Sequence, residues 1–187
     1  FTFFFAGHGG VKDETYFLCL KDSFIEKLSL TALSMTQLFA WLSEARVPQT
    51  NIIVDSCQSG GVVHDIGTLL NPSVIGKTGS LALSILASSS ANEYAQEVGG
   101  RGVCTSSLLE CLSGATVVQT TRQTLDLMEI GKVVSQSMCG AGQTPIYWGL
   151  NLYGRGQIAK NPRYTGDSPR IPDSIENLTP DGSANAY

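Results

Sequence analysis

Three short apolar runs set the terms for what this chain can fold into: residues 1–6 (FTFFFA), 51–55 (NIIVD) and 81–87 (LALSILA). The run at 51–55 is apolar toward both of its faces, which a strand in a covered parallel sheet requires. The first run is aromatic and stops abruptly at Gly-His-Gly-Gly, as a buried strand does when it enters a loop. A second, shorter strand is predicted over 16–20 and a last one over 146–153. Between these lie helical segments. Ser34 and Gln37 have capping-box spacing, and Met35, Leu38, Phe39, Leu42 and Ala45 share one helix face that Pro48 terminates. A stretch over 59–70 is compatible with a helix, and 71–80 reads as a loop. Thr105 is placed to cap a helix running to Leu112 with Gly114 as its stop, and Thr124 to cap another whose stripe is Leu127, Ile130, Val134 and Met138. Strands alternating with helices predict an α/β layer structure around a mainly parallel sheet.

The 187 residues suit one domain, and 42% hydrophobic with 15% charged residues describes a packed chain. A net charge of −4 gives no reason to expect nucleic acid or anionic membrane as a partner. No stretch is long and apolar enough to span a bilayer, and the opening run lacks the basic flank of a signal peptide. Five cysteines, an odd number with no Cys-x-x-Cys, and only two histidines argue against a disulfide framework or a zinc site and for a reducing, cytoplasmic setting. The packed domain is expected over 1–156, with a polar tail or linker over 157–187. The first residue already lies inside a strand, and three strong buried strands make a thin α/β domain. We therefore expect N-terminal strands to be missing from this chain or supplied by a separate piece, with the domain belonging to a larger polypeptide or complex.

Two strand ends carry chemistry. The first reads Phe5-Ala6-Gly7-His8-Gly9-Gly10, the second Val54-Asp55-Ser56-Cys57-Gln58-Ser59-Gly60-Gly61. In open α/β sheets the working site lies beyond the carboxyl ends of the strands. If these two strands are parallel neighbours, His8 and Cys57 emerge on one edge. A thiol is mostly protonated at neutral pH, and a nearby imidazole can take that proton and later return it to a leaving amine. The flanking glycines let a substrate backbone approach and leave amide N–H groups for an oxyanion. Taken singly, a cysteine is usually a small core hydrophobe and a strand-end histidine a satisfied polar residue. Their shared setting raises the pair above that.

The two segments resemble the caspase-like cysteine peptidases, and among them the metacaspases and bacterial caspase-like proteases. The apolar strand with Gly7-His8-Gly9 matches their His motif, and Asp55-Ser56-Cys57-Gln58-Ser59-Gly60 matches the metacaspase Cys motif. Gly102-Val103-Cys104-Thr105 and Gln143-Thr144-Pro145 look like the small-subunit half, so the resemblance runs from Phe1 to about Gly156. It implies a caspase-like three-layer sandwich and hydrolysis of protein or peptide substrates. His8 would be the general acid/base and Cys57 the nucleophile, with the N–H groups of Gly9 and Cys57 as the oxyanion hole. Asp55 would line the S1 pocket and pair with Arg or Lys at P1, the alternative being a strand-end cap for the following turn. No cofactor is required. Some metacaspases bind calcium through clustered acids; here Asp13, Glu14 and Asp22 read better as solvated loop charges than as an oxygen cage.

There are departures. Ala6 stands where metacaspases often have Ser, and the second acidic S1 residue of that family comes from a segment before this chain begins. Lys77 lies between the two halves, where caspase-like enzymes are sometimes cut, and is a candidate self-cleavage site. Glu93 and Glu97 are equally readable as substrate contacts or loop acids. His64 reads as a surface histidine, Cys19, Cys104, Cys111 and Cys139 as packing, and residues 99–102 as a flexible loop. Two alternatives stay open: a caspase-fold pseudoprotease that binds partners without cutting, and a separase-, legumain- or gingipain-like peptidase.

Overall fold

The computed structural model of the chain describes residues 1–45, 47–57, 59–62, 65, 82–90, 97–98, 100–139, 142–154 and 156–166. Its central sheet has four strands in the order β1-β5-β6-β10: β1 (Thr2–Gly7), β5 (Gln49–Ser56), β6 (Ala82–Ala87) and β10 (Ile146–Leu150). The first three are parallel and β10 runs antiparallel to β6. The three apolar runs are thus the three parallel strands. The expected final strand ends at Leu150 rather than residue 153. Asn151 and Tyr153 take positive φ values there, which bends the chain out of the extended region.

Apolar residues on both faces of β5 and β6 are explained by what covers them. Ile52, Val54, Leu83 and Ile85 pack with Met35, Leu38, Phe39 and Leu42 of α2 (Met35–Glu44). Ile53 and Leu86 face the other way, against α3 (Val103–Ser113) and α4 (Leu127–Ser137). Three layers result. The large apolar side chains buried between them, about 1.5–3 kcal/mol each, supply the driving force. Helix α2 begins as expected: the Ser34 hydroxyl accepts from the Gln37 amide at 3.1 Å. Ala45, however, is the exposed C-cap and lies outside the apolar face. Helix α3 ends at Gly114, φ 77°, in the left-handed region that glycine enters freely.

Two capping expectations are corrected. Helix α4 is capped not by Thr124, which lies in β9 (Thr124–Asp126), but by Asp126 in a capping box with Glu129. Arg122 reaches both carboxylates. Helix α3 starts at Val103, so Thr105 is inside its first turn; the N-cap is Gly102, which has no side chain to offer.

Short elements that carry little apolar signal complete the fold. A small sheet of β2 (Gly9–Lys12), β3 (Thr15–Leu18) and β4 (Leu33–Ser34) grows out of the end of β1. Asp13 and Glu14 form its tight turn at positive φ. A four-residue helix, α1 (Leu28–Thr31), lies on the excursion between β3 and β4. The pair β7 (Glu97–Val98) and β8 (Arg101–Gly102) leads into α3, where sequence reading expects a loop. Finally, β11 (Gln157–Lys160) pairs with β9. Asn161 binds the carbonyls of Gln119 and Arg122, and Arg163 binds that of Gly114. The packed domain therefore continues past residue 156, correcting the expected start of the tail. Among the described residues, no helix is long and apolar enough to cross a membrane.

Candidate active site

The parallel register of β1 and β5 pairs Ala6 with Asp55 and Gly7 with Ser56. His8 and Cys57 are the next residues on each strand, so both leave the sheet at its carboxyl edge. They line one cleft of about 540 Å³, together with Phe4, Asp55, Arg101 and Thr105. His8 is exposed and Cys57 half-buried. Strand polarity and register, both consequences of core packing, bring together the two residues that thiol chemistry needs.

Each residue's backbone is fixed. The His8 carbonyl accepts from the Cys19 amide at 2.9 Å. The Cys57 carbonyl accepts from Tyr16 Oη at 2.9 Å, and the same hydroxyl lies 2.5 Å from Ser56 Oγ. Tyr16 is fully buried in β3, and its own amide donates to Asp65 Oδ2. Burial raises the Tyr16 hydroxyl far above its ordinary range, with Ser56 opposing that shift, so it stays a donor. Gly9 is pressed beneath it: an added Cβ would run into Tyr16 Oη and come within 2.6 Å of Cζ. The cleft lining includes Gly7 and His8 but stops short of Gly9. From the other side, Ser88 and Ser89 at the end of β6 donate to and accept from the 56–59 turn. Neither Tyr16 nor this serine pair is marked by the sequence. A lone tyrosine in a strand and a serine run at a strand end carry no spacing signal.

Asp55 is buried and enters the cleft from β5. Its Oδ2 accepts from the Thr105 amide at 2.9 Å and from the Thr105 hydroxyl. Among the described residues, its Oδ1 has no hydrogen-bond partner. A buried carboxylate oxygen without a donor costs about 1–3 kcal/mol or more, so it calls for an explanation. Asp55 also caps a helix, but the helix is α3, reached across the sheet, and not the turn that follows it in sequence. The signal available in the sequence was Gly102, a helix start with nothing of its own to satisfy the first amides.

Burial disfavours the thiolate at three of the other cysteines. Cys104 is buried, and burial, reinforced by the Asp55 charge, pushes its thiol up to about 12. Burial likewise raises Cys111 and Cys19. Cys139 is exposed rather than packed. Cys104 makes a measurable prediction. The unfolded chain's thiol ionises near its ordinary 9, before the folded one. The neutral-thiol contribution to stability is thus complete below pH 9 and lost as pH rises toward 12. Urea unfolding across that window should show stability falling, and Cys104→Ala should remove a few kcal/mol of the fall. An unchanged slope in the variant would refute the assignment.

Asp13 and Glu14 occupy a hairpin turn and Asp22 is exposed. Among the described residues, no group of three or more His, Cys, Asp or Glu is placed to hold a metal ion. These acids do not fit a calcium cage. Lys77, His64 and Glu93 lie outside the described residues, as does the side chain of Glu97.

No family model and no curated protein matches the sequence. Among solved structures, the chain is similar to the crystal structure of protein GSU0716 from Geobacter sulfurreducens, with a TM-score of 0.55 and 18% identity. The alignment covers 84% of this chain and 69% of that one. At that identity the likeness speaks to the fold alone: an α/β domain with a mainly parallel sheet.

Proposed function

We propose that the protein is a cysteine endopeptidase of the caspase-like fold, closest to the metacaspase side, that cleaves after Arg or Lys. The observation that carries this reading is that His8 and Cys57, one residue beyond a register-matched pair of parallel strands, line the same cleft as Asp55. In this reading His8 takes the Cys57 proton and the thiolate attacks the scissile carbonyl carbon. The Cys57 N–H holds the oxyanion from within the cleft, and the Gly9 N–H, next to His8 but outside the cleft lining, is its expected second donor. Collapse of the tetrahedral intermediate breaks the C–N bond, His8 gives its proton to the leaving amine, and a thioester remains on Cys57. Water, deprotonated by His8, then attacks the thioester; the acid product leaves and the thiol regains its proton. Asp55, which lines the cleft and whose Oδ1 lacks a donor among the described residues, pairs with the basic P1 side chain. A charge-assisted bond to Arg or Lys would satisfy it, while an acidic P1 would meet like-charge repulsion.

The test is a panel of fluorogenic peptides with Arg, Lys, Asn or Asp at P1, with and without calcium. Arg or Lys peptides should be turned over at least about 100-fold faster than Asp peptides, a margin set by one buried charge pair. Cys57→Ala should abolish the turnover. Preference for Asp would overturn the basic specificity. No Cys57-dependent turnover on any peptide would overturn the enzyme in favour of a binding module.

A further inference from the structure

We propose that Thr105, a residue of the opposite half of the chain, is the positioning residue that sets charge selection in the cleft, by locking the Asp55 carboxylate in one orientation at the cleft wall. The inference rests on the peptidase reading for its substrate, but its geometry stands independently. Asp55 sits at the end of β5, and a free carboxylate there has rotamers to choose from. Three features remove that choice. The Thr105 amide, an otherwise unsatisfied donor in the first turn of α3, binds Oδ2 at 2.9 Å. The Thr105 hydroxyl binds the same oxygen. Gly102, the N-cap of α3, lets the backbone come so close that an added Cβ would lie 2.7 Å from Asp55 Cγ and 3.0 Å from Oδ1. The positive end of the α3 dipole adds an attraction for the carboxylate.

The consequence is directional. With Oδ2 taken twice, Oδ1 is the oxygen left over, buried and, among the described residues, without a donor, in a residue that lines the cleft. A cationic side chain entering the cleft meets the charge of a carboxylate already held in place and does not have to order it on arrival. Preorganisation of this kind contributes to affinity by lowering the ordering cost of binding. Thr105 therefore acts on selectivity through Asp55 and need not touch the reacting atoms. Sequence reading assigns Thr105 a helix cap; its actual partner is fifty residues away.

The experiment compares peptides with Arg or citrulline at P1, which have the same shape and differ in charge. In the Thr105→Val protein the ratio of kcat/KM for Arg over citrulline should fall about tenfold, mainly through a higher KM for the Arg peptide. Thr105→Ser should retain the parent ratio, and Gly102→Ala, which pushes Asp55 aside, should lose it. A Thr105→Val ratio equal to the parent's would overturn the proposal, as would equal loss on both peptides, which marks a structural role. A parallel titration of Cys57→Ala protein with N-acetyl-arginine amide separates this proposal from the peptidase reading. Without turnover of any peptide, the enzyme assignment fails. The Thr105 proposal still stands if the amide binds and adding Thr105→Val or Asp55→Asn weakens it about tenfold. It falls if the amide does not bind or binds all three proteins alike.

Discussion

His8→Ala should lower Cys57-dependent peptide hydrolysis by about 10³-fold or more while leaving stability within about 0.5 kcal/mol of the parent chain. The two halves of that result come from one fact: the side chain is exposed at the cleft, and what fixes the residue is its backbone. Losing an exposed imidazole opens no core cavity. Losing the proton carrier leaves the attacking thiol no base to take its proton and the leaving amine no acid. Steady-state kinetics beside urea unfolding check both halves. A matching loss of stability would make His8 a structural residue, and retention of more than about a tenth of the activity would remove it as the proton carrier.

Gly9→Ala should do the opposite and damage stability and activity together. The added methyl would run into the Tyr16 hydroxyl, approach Cζ at 2.6 Å and reach Ser56 Oγ at 3.0 Å. Tyr16 is fully buried and cannot swing away into solvent. Relief has to come from separating β2 from β3 or from withdrawing the Tyr16 hydroxyl from Ser56 and the Cys57 carbonyl. Overpacking and loss of buried hydrogen bonds together predict about 2–4 kcal/mol of destabilisation. Activity should fall even under conditions where the variant is fully folded, because the displaced tyrosine holds the Cys57 carbonyl, next to the proposed nucleophile's thiol. In a Tyr16→Phe background the first atom met is gone, so the same methyl should cost less. The two substitutions should be coupled by about 0.5–3 kcal/mol in a double-mutant cycle. Strict additivity would mean that Gly9 and Tyr16 do not meet in the folded protein.

Much of the fold was legible because its strongest elements carry periodic signals. The apolar runs at the three parallel strands, the stripe of α2 up to Leu42 and the stripe of α4 lie where the pattern puts them. What the sequence concealed is short or external. Strands of two to four residues such as β4, β7, β8 and β9 bury too little to leave a pattern, and β11 exists because β9 offers it an edge. The caps of α3 and α4 were misassigned for different reasons. Thr124 is a capping residue by type, but pairing with β11 holds it extended and leaves the cap to Asp126. Thr105 lost its assignment to a carboxylate from β5 that no local pattern reveals. The candidate site divides the same way. His8, Cys57 and Asp55 announce themselves by glycine-rich strand ends. Tyr16, Ser88, Ser89, Thr105 and Arg101 come to that site by tertiary contact, and their local sequence is silent about it.

The register of β1 against β5 carries one more implication. Phe3 and Phe5 turn inward to the α2 side of the sheet, while Ala6 sits opposite Asp55. Sliding β1 by one residue would turn those two aromatics outward and carry His8 away from its place opposite the nucleophile's strand end. A wrongly aligned molecule is thus penalised in folding before it can be wrong in chemistry. The greasiness of two phenylalanines acts as a proofreading device for the position of a histidine, and substitutions at 3 and 5 that merely soften the core are also errors of alignment at the cleft.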